Sequence, residues 1–141
     1  METVLSAAIQ KGDKRDVCIH AWDPSSGTQL RGFKGGVCAP QSLCAARGMV
    51  VAGQAGRPAI HVWAPGLDQM QQKLVTAETG TAVAISPDSK FCAMGTTKGK
   101  VSIWEVSTGR LMCGIESAHY RRITALRYTD DGAHLISASH D

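Results

Sequence analysis

The sequence predicts an all-β protein made of repeated antiparallel units, and two observations support this prediction. Three tryptophans, Trp22, Trp63 and Trp104, recur at intervals of 41 residues, each at the end of a short apolar segment. A fixed period near 40 residues is typical of repeated supersecondary units. The 141 residues also include 15 glycines and only 5% aromatic residues, which favours short strands joined by many turns.

One period is predicted to contain four short strands. Residues 101–104 alternate apolar and polar side chains up to Trp104, and a Ser-Thr-Gly turn leads from there into another apolar run. Upstream, the runs TAVAIS and KFCAMGT are separated by turn-forming residues at 87–89. Four antiparallel strands per repeat are typical of a β-propeller blade.

The same pattern returns near the C-terminus. The segment beginning at Thr81 aligns with the segment beginning at Thr124 at an offset of 43, which pairs Asp88 with Asp131. This alignment predicts another tryptophan at about position 147. We expect blade 1 at about 1–38 without its first strand, blade 2 at 39–78, blade 3 at 79–117 and half of blade 4 at 118–141.

Local pattern and repeat period disagree at 67–75. Its apolar residues have helical spacing, and several of its residues are good helix formers. The position of Trp63 within the period instead places the outer strand of blade 2 at about 70–75. We therefore predict a strand there.

The repeats resemble those of the WD-repeat family, in which Gly-His precedes the first strand and Trp-Asp ends the third. Trp22 and Asp23 match that pair, whereas Ala64 and Glu105 occupy the Asp position in the next two repeats. The resemblance implies a partial WD-repeat propeller, about half of a ring of about seven blades. We then expect the last residues, HLISASHD, to leave an unpaired strand edge that promotes association.

The resemblance also implies structural roles. The three tryptophans are expected to pack between strands. In the family a His, a Ser or Thr, an Asp and a Trp form a hydrogen-bonded chain, and the last repeat offers His119, Ser137 and Asp141 for it. The alternative is an exposed loop histidine and an ordinary turn aspartate.

The segments DQMQQKLV, VSIWEVSTGRL and AHYRRITALRYTDDGAHLISASHD resemble the WD-repeat propeller subunits of the rixosome. This implies a non-catalytic scaffold in the nucleolus and nucleoplasm, active in ribosomal RNA processing and large ribosomal subunit maturation. The implied partners are protein subunits of a rixosome-like complex and pre-ribosomal particles. A direct RNA-binding propeller and a WD-repeat adaptor of another complex are the alternatives.

Two connections suggest a binding face. The net charge of +3 is too small to select a class of partner. In propeller topology, however, the connections HYRR and TTKGK emerge on the same rim, where they would bring together Lys98, Lys100, Tyr120, Arg121 and Arg122. Such a basic face could contact RNA phosphates or an acidic partner. The alternative is an ordinary solvated rim.

We predict no catalytic residue, metal site, cofactor, small-molecule substrate or membrane partner. Ser139, His140 and Asp141 are consecutive, so on an extended strand they point to opposite faces and form no relay among themselves. The five cysteines lack CxxC spacing. No stretch approaches the roughly 18 apolar residues that a membrane span requires.

Overall fold

The computed structural model describes residues 3–7, 19–66 and 70–141, and within these ranges all regular secondary structure is β-strand. None of these residues belongs to a helix long and apolar enough to cross a membrane. The described part of the chain forms thirteen strands in four antiparallel sheets, which we number along the chain. The all-β prediction is confirmed.

Sheets 2 and 3 each contain four strands in chain order, as the period predicts. Sheet 2 consists of β4 (Cys38–Ala46), β5 (Met49–Gln54), β6 (Ala59–Trp63) and β7 (Gln72–Val75). Sheet 3 consists of β8 (Gly80–Ile85), β9 (Phe91–Thr96), β10 (Val101–Glu105) and β11 (Arg110–Ile115).

Sheets 1 and 4 are smaller within the described residues. Sheet 1 consists of β1 (Val4–Ala7), β2 (Ile19–Trp22) and β3 (Gln29–Phe33). Sheet 4 is a hairpin of β12 (Ile123–Tyr128) and β13 (Leu135–Ser139). The strand ranges are observed, whereas the blade limits given above stay a prediction.

The segment with helical spacing forms strand β7 from Gln72 onwards, while residues 67–69 lie outside the described residues. Leu74 pairs with Ile60 of β6, and its side chain is only 1% exposed. Burial against a neighbouring strand therefore overrides the local preference for a helix.

The turns after β8 and β12 have the same hydrogen bonds, which explains the repeated Asp at this position. In the first turn the Ser86 hydroxyl donates to Asp88 Oδ1 at 2.6 Å, and the backbone N–H of Lys90 donates to the same oxygen at 3.0 Å. In the second, Thr129 and Ala133 make the equivalent bonds to Asp131 Oδ1 at 2.5 and 3.0 Å. Each carboxylate replaces backbone partners that a tight turn leaves unmatched.

Neighbouring sheets share their apolar cores. The largest cluster joins Ile60 and Leu74 of sheet 2 to Met94 and Trp104 of sheet 3. Similar clusters join sheet 1 to sheet 2 and sheet 3 to sheet 4. Burying one such aliphatic side chain contributes about 1.5–3 kcal/mol, so the contacts between sheets are a principal source of stability.

Sheet 4 approaches sheet 3 closely over Gly95 of β9. A Cβ at this position would lie 2.5 Å from Cγ2 of Ile123, which is fully buried. Beside it, the Thr81 hydroxyl lies 2.6 Å from the carbonyl oxygen of Ile123 and bonds to it. This close approach of the two sheets therefore requires that position 95 has no side chain.

We expect Gly95→Ala to lower the free energy of unfolding by about 1–3 kcal/mol, because the added methyl overpacks a buried contact. Urea titration of both proteins measures the change. Gly114→Ala is the matched control, since a Cβ on Gly114 of exposed β11 would meet nothing closer than 3.9 Å. Equal effects of the two substitutions would contradict the proposed contact.

Candidate interaction surface on the loop rim

The connections between strands meet on one side of the molecule, which we call the loop rim and define as residues 34–37, 55–58, 76–79, 97–100 and 116–122. The backbone N–H of Ala55 donates to the carbonyl of Val37 at 2.8 Å. The backbone N–H of His119 donates to the carbonyl of Gly99 at 3.1 Å. The second contact brings the two predicted basic connections together.

Gly99 allows this contact for two reasons. Its φ of +81° is unfavourable for residues with a side chain, and a Cβ would lie 2.0 Å from the carbonyl oxygen of His119. The connection 97–100 therefore fixes the position of the loop that carries Tyr120, Arg121 and Arg122.

His119, Ser137 and Asp141 lie together at the base of this loop. The His119 ring places Nε2 2.8 Å from Ser137 Oγ and Nδ1 3.0 Å from Asp141 Oδ1. The other carboxylate oxygen of Asp141 accepts the backbone N–H of Tyr120 at 2.7 Å. The Tyr120 N–H, and to a smaller extent His119, hold the pKa of Asp141 below its usual value. The three side chains thus tie the end of β13 to the loop before β12.

The order Ser–His–Asp is also that of a nucleophilic relay, but here its members are bound to the fold. The carboxylate is shared between His119 and the Tyr120 backbone, and Ser137 is a strand residue paired with Leu126. Relay chemistry also requires donors placed to stabilise an oxyanion beside the nucleophile. The observed contacts account for a tether between sheet and loop.

The cross-strand register identifies which residues of sheets 1, 2 and 3 occupy the position that Ser137 occupies in sheet 4. Ser6, Ala52 and Met94 each pair with the residue two positions before a tryptophan. In sheet 1, Trp22 Nε1 donates to Ser6 Oγ at 2.7 Å. In sheet 3, Met94 is apolar and packs against Gly80, where a Cβ would lie 2.5 Å from its sulfur. This structural position therefore holds a polar side chain in sheets 1 and 4 and an apolar side chain in sheets 2 and 3.

Sheet 2 uses different polar residues, which sequence reasoning missed. The His61 ring donates from Nδ1 to the carbonyl of Gly35 at 3.1 Å, and the side chain of Gln54 accepts the N–H of Val37 at 2.9 Å. Trp63 Nε1 donates to the carbonyl of Lys34 at 2.9 Å. These bonds hold the connection 34–37. The available signal was a histidine two residues before Trp63, matching His20 before Trp22.

The pKa of His61 lies below its ordinary value because burial disfavours the charged ring. The bond to Gly35 opposes this shift, while the charges of Lys73 and Arg57 add to it. His61 is therefore neutral near pH 7 and packs edge-on against Trp63, with ring centroids 6.0 Å apart.

Asp23 stabilises a turn on the opposite side from the loop rim. Its Oδ1 accepts the backbone N–H and the hydroxyl of Ser25 at 2.9 and 2.7 Å, and these bonds lower its pKa. Glu105 has the same role in the equivalent turn, where it accepts the hydroxyl of Thr108 at 2.7 Å. Trp22 is half-buried, whereas Trp63 and Trp104 are 0% and 5% exposed.

The five predicted contact residues differ in availability. Lys100 pairs with Glu116 at 2.7 Å, and this bond raises its pKa, so it supports the loop. Lys98 lies 3.5 Å from Glu78 and its side chain is 78% exposed. Among the described residues, Arg121 and Arg122 form no ion pair, and Tyr120 is 92% exposed.

The described residues contain neither a cluster of metal ligands nor, at Cys44 and Cys92, a readily ionised thiol. Within 3–7, 19–66 and 70–141, no group of three or more His, Cys, Asp and Glu side chains is arranged to hold a metal ion. Burial raises the pKa of Cys92 to about 12 and that of Cys44 well above its usual value, so both thiols stay protonated.

We expect His119→Ala to lower the free energy of unfolding by about 1–2 kcal/mol, because two side-chain hydrogen bonds are lost. The Tyr120 amide should also exchange faster with solvent, since Asp141 loses the partner that orients it. Hydrogen exchange and urea titration measure both effects. His140→Ala is the control, because His140 is an exposed histidine next to Asp141 in the sequence, and it should leave both quantities unchanged.

We also expect stability to fall as pH decreases below about 6.5, the ordinary histidine pKa, because unfolded His61 binds a proton that the folded protein excludes. Above that pH neither state binds the proton, so this contribution to the free energy of unfolding is fully present. His61→Asn keeps an N–H donor without titrating, so its stability should decline less between pH 7 and pH 5. Identical slopes for both proteins in urea titrations over this range would exclude the effect.

Comparisons with known proteins agree with this geometry. The family model described as "WD domain, G-beta repeat" matches residues 72–105 and 112–141. WD repeat-containing protein 18 of Danio rerio is 34% identical over 143 residues, covering 100% of this chain and 32% of the relative. The Homo sapiens protein of that name is 34% identical over 126 residues, covering 88% of this chain and 28% of the relative.

A fungal relative has a name that describes its activity. Pre-rRNA-processing protein crb3/ipi3 of Schizosaccharomyces pombe is 30% identical over 143 residues, covering 100% of this chain and 31% of the relative. The chain therefore spans about a third of the length of these curated relatives. Its strand repeat, its tryptophans and these matches agree, and the chain belongs to the WD-repeat family.

Proposed function

We propose that this chain contributes to a non-catalytic scaffold that assembles proteins for ribosomal RNA processing and large ribosomal subunit maturation. The observation that carries the proposal is similarity, over the whole of this chain and about a third of the relative, to a protein named as a pre-rRNA-processing protein. The stacked sheets support it, because a rigid array of strands presents its loops to partners in fixed positions.

The hydrogen bonds of the loop rim support a scaffold over an enzyme. The one Ser–His–Asp arrangement within the described residues is engaged with the backbone of its own loop. What distinguishes this rim is the exposure of Arg121 and Arg122 beside Tyr120. Exposed arginine and tyrosine side chains are frequent where proteins bind one another.

The partners that fit the proposal are protein subunits of a rixosome-like complex and pre-ribosomal particles in the nucleolus and nucleoplasm. Tyr120, Arg121, Arg122 and Lys98 are the contact residues in this proposal. Lys100 supports them through its ion pair with Glu116.

Direct RNA binding is a second candidate function, favoured by Arg121 and Arg122, which form no ion pair with any described residue and lie next to an exposed aromatic ring. Arginine binds phosphate with two parallel hydrogen bonds, and tyrosine stacks on unpaired bases. Tyr120 is one ring, however, and binding of single strands ordinarily uses several. An adaptor role in another complex remains the alternative if the particle experiment below fails.

We expect Arg121→Glu with Arg122→Glu to weaken association with purified pre-ribosomal particles by about tenfold at moderate salt. The dependence of affinity on salt should also become shallower, because fewer charges are neutralised on binding. Co-sedimentation over a salt series measures both quantities.

Arg110→Glu with Arg127→Glu is the matched control, since it makes the same charge change at exposed strand residues outside the loop rim. If the rim variant keeps the wild-type affinity and salt slope, the proposal fails. Repeating the salt series with protein-free precursor ribosomal RNA distinguishes RNA contacts from protein contacts.

A further inference from the structure

A cleft of about 460 Å³ lies on the loop rim between sheets 2 and 3. One side is formed by Ala39, Pro40 and Ala55, and charged residues Glu78, Lys98 and Arg122 lie around it. Four connections and the starts of two strands contribute to its lining, so the cleft exists only when the two sheets and the loop before β12 are packed together.

The two cations of the cleft are available to a ligand. Arg122 is exposed and forms no ion pair among the described residues. Lys98 reaches Glu78 only at 3.5 Å with a largely exposed side chain, whereas neighbouring Lys100 holds Glu116 at 2.7 Å. Long, exposed ion pairs are weak. An incoming carboxylate can therefore replace Glu78 as the partner of Lys98.

The lining of the cleft also offers apolar contact. Ala39 is 8% exposed, Pro40 has no N–H, and the N–H of Ala55 is bonded to Val37. Nearby, the hydroxyl of Thr81 is engaged with the backbone of Gly95 and Ile123. A ligand that combines a negative charge with a small apolar group therefore matches this lining.

We propose that this cleft binds a short acidic peptide segment of a partner protein. One carboxylate bonds to Arg122 and Lys98, and an adjacent small side chain packs against Ala39, Pro40 and Ala55. The inference rests on the proposed scaffold function, because it names the class of partner that the scaffold takes. Nucleic acid fits less well, since the described residues that line the cleft include no aromatic ring on which a base could stack.

The test uses the complete 141-residue chain and a fluorescein-labelled peptide of alternating Glu and Ala, with a Gln–Ala peptide as the uncharged probe. Fluorescence polarisation gives the Kd. Arg122→Glu and Lys98→Glu should each weaken binding of the acidic peptide at least fivefold. Arg110→Glu makes the same charge change on the exposed outer strand β11 and should change Kd less than twofold.

Two further variants separate a built cleft from general attraction to positive charge. Glu78→Gln removes the internal competitor and should tighten binding more than Glu116→Gln, which removes the same charge outside the cleft. Ala55→Leu fills the apolar side without changing charge and should weaken binding at least threefold. Circular dichroism of each variant confirms that the strands are retained.

The proposal is overturned if Arg122→Glu costs no more affinity than Arg110→Glu, or if Ala55→Leu has no effect. It is also overturned if a labelled uridine oligomer binds more tightly than the peptide and is lost with the same variants, which would assign the cleft to nucleic acid. Unchanged particle association alongside failed peptide binding would reject this inference alone. If the wild-type chain does not associate with pre-ribosomal particles, the proposed function is rejected.

Discussion

The structure depends on the packing of each sheet against the next one along the chain. A single three- or four-stranded sheet of this size buries little apolar surface by itself. Ile60 and Leu74 of sheet 2 become inaccessible to solvent because Met94 and Trp104 of sheet 3 cover them. The loop rim inherits its geometry from this packing, since its connections leave strands whose relative positions the shared cores determine.

Hydrogen bonds of polar side chains then fix the loops that connect the strands of these packed sheets. In sheet 4 a His–Ser–Asp tether fixes the loop, in sheet 2 His61 and Gln54 hold the preceding connection, and in sheet 3 Met94 fills the equivalent space. A polar network is favourable only when its members are satisfied, and the rings of His61 and His119 and the side chain of Gln54 all have hydrogen-bond partners. Differences between repeats therefore need not weaken the array, although they change which side chains remain for binding.

Much of the fold was predictable because the tryptophan period fixes the number and order of strands more strongly than local preference does. Strand β7 shows this, since the period predicts it correctly against a helical pattern. The contacts of individual loops were not predictable. Nothing in the sequence says that Lys100 pairs with Glu116 whereas Arg122 forms no ion pair within 3–7, 19–66 and 70–141, because such partners depend on how two loops from different strands meet. The repeat position of His61 was visible beside Trp63, but its bonding partner was not predictable, because a backbone carbonyl leaves no sequence signature.

The tether between Tyr120 and Asp141 has a consequence for synthesis. Contacts within sheet 4 join residues about 20 positions apart, and such local contacts form quickly. Asp141 is nevertheless the last member of the tether to leave the ribosome. The loop that carries Tyr120, Arg121 and Arg122 is therefore synthesised before its hydrogen bonds to Asp141 can form. It acquires its final conformation only after both strands of the hairpin have emerged from the exit tunnel.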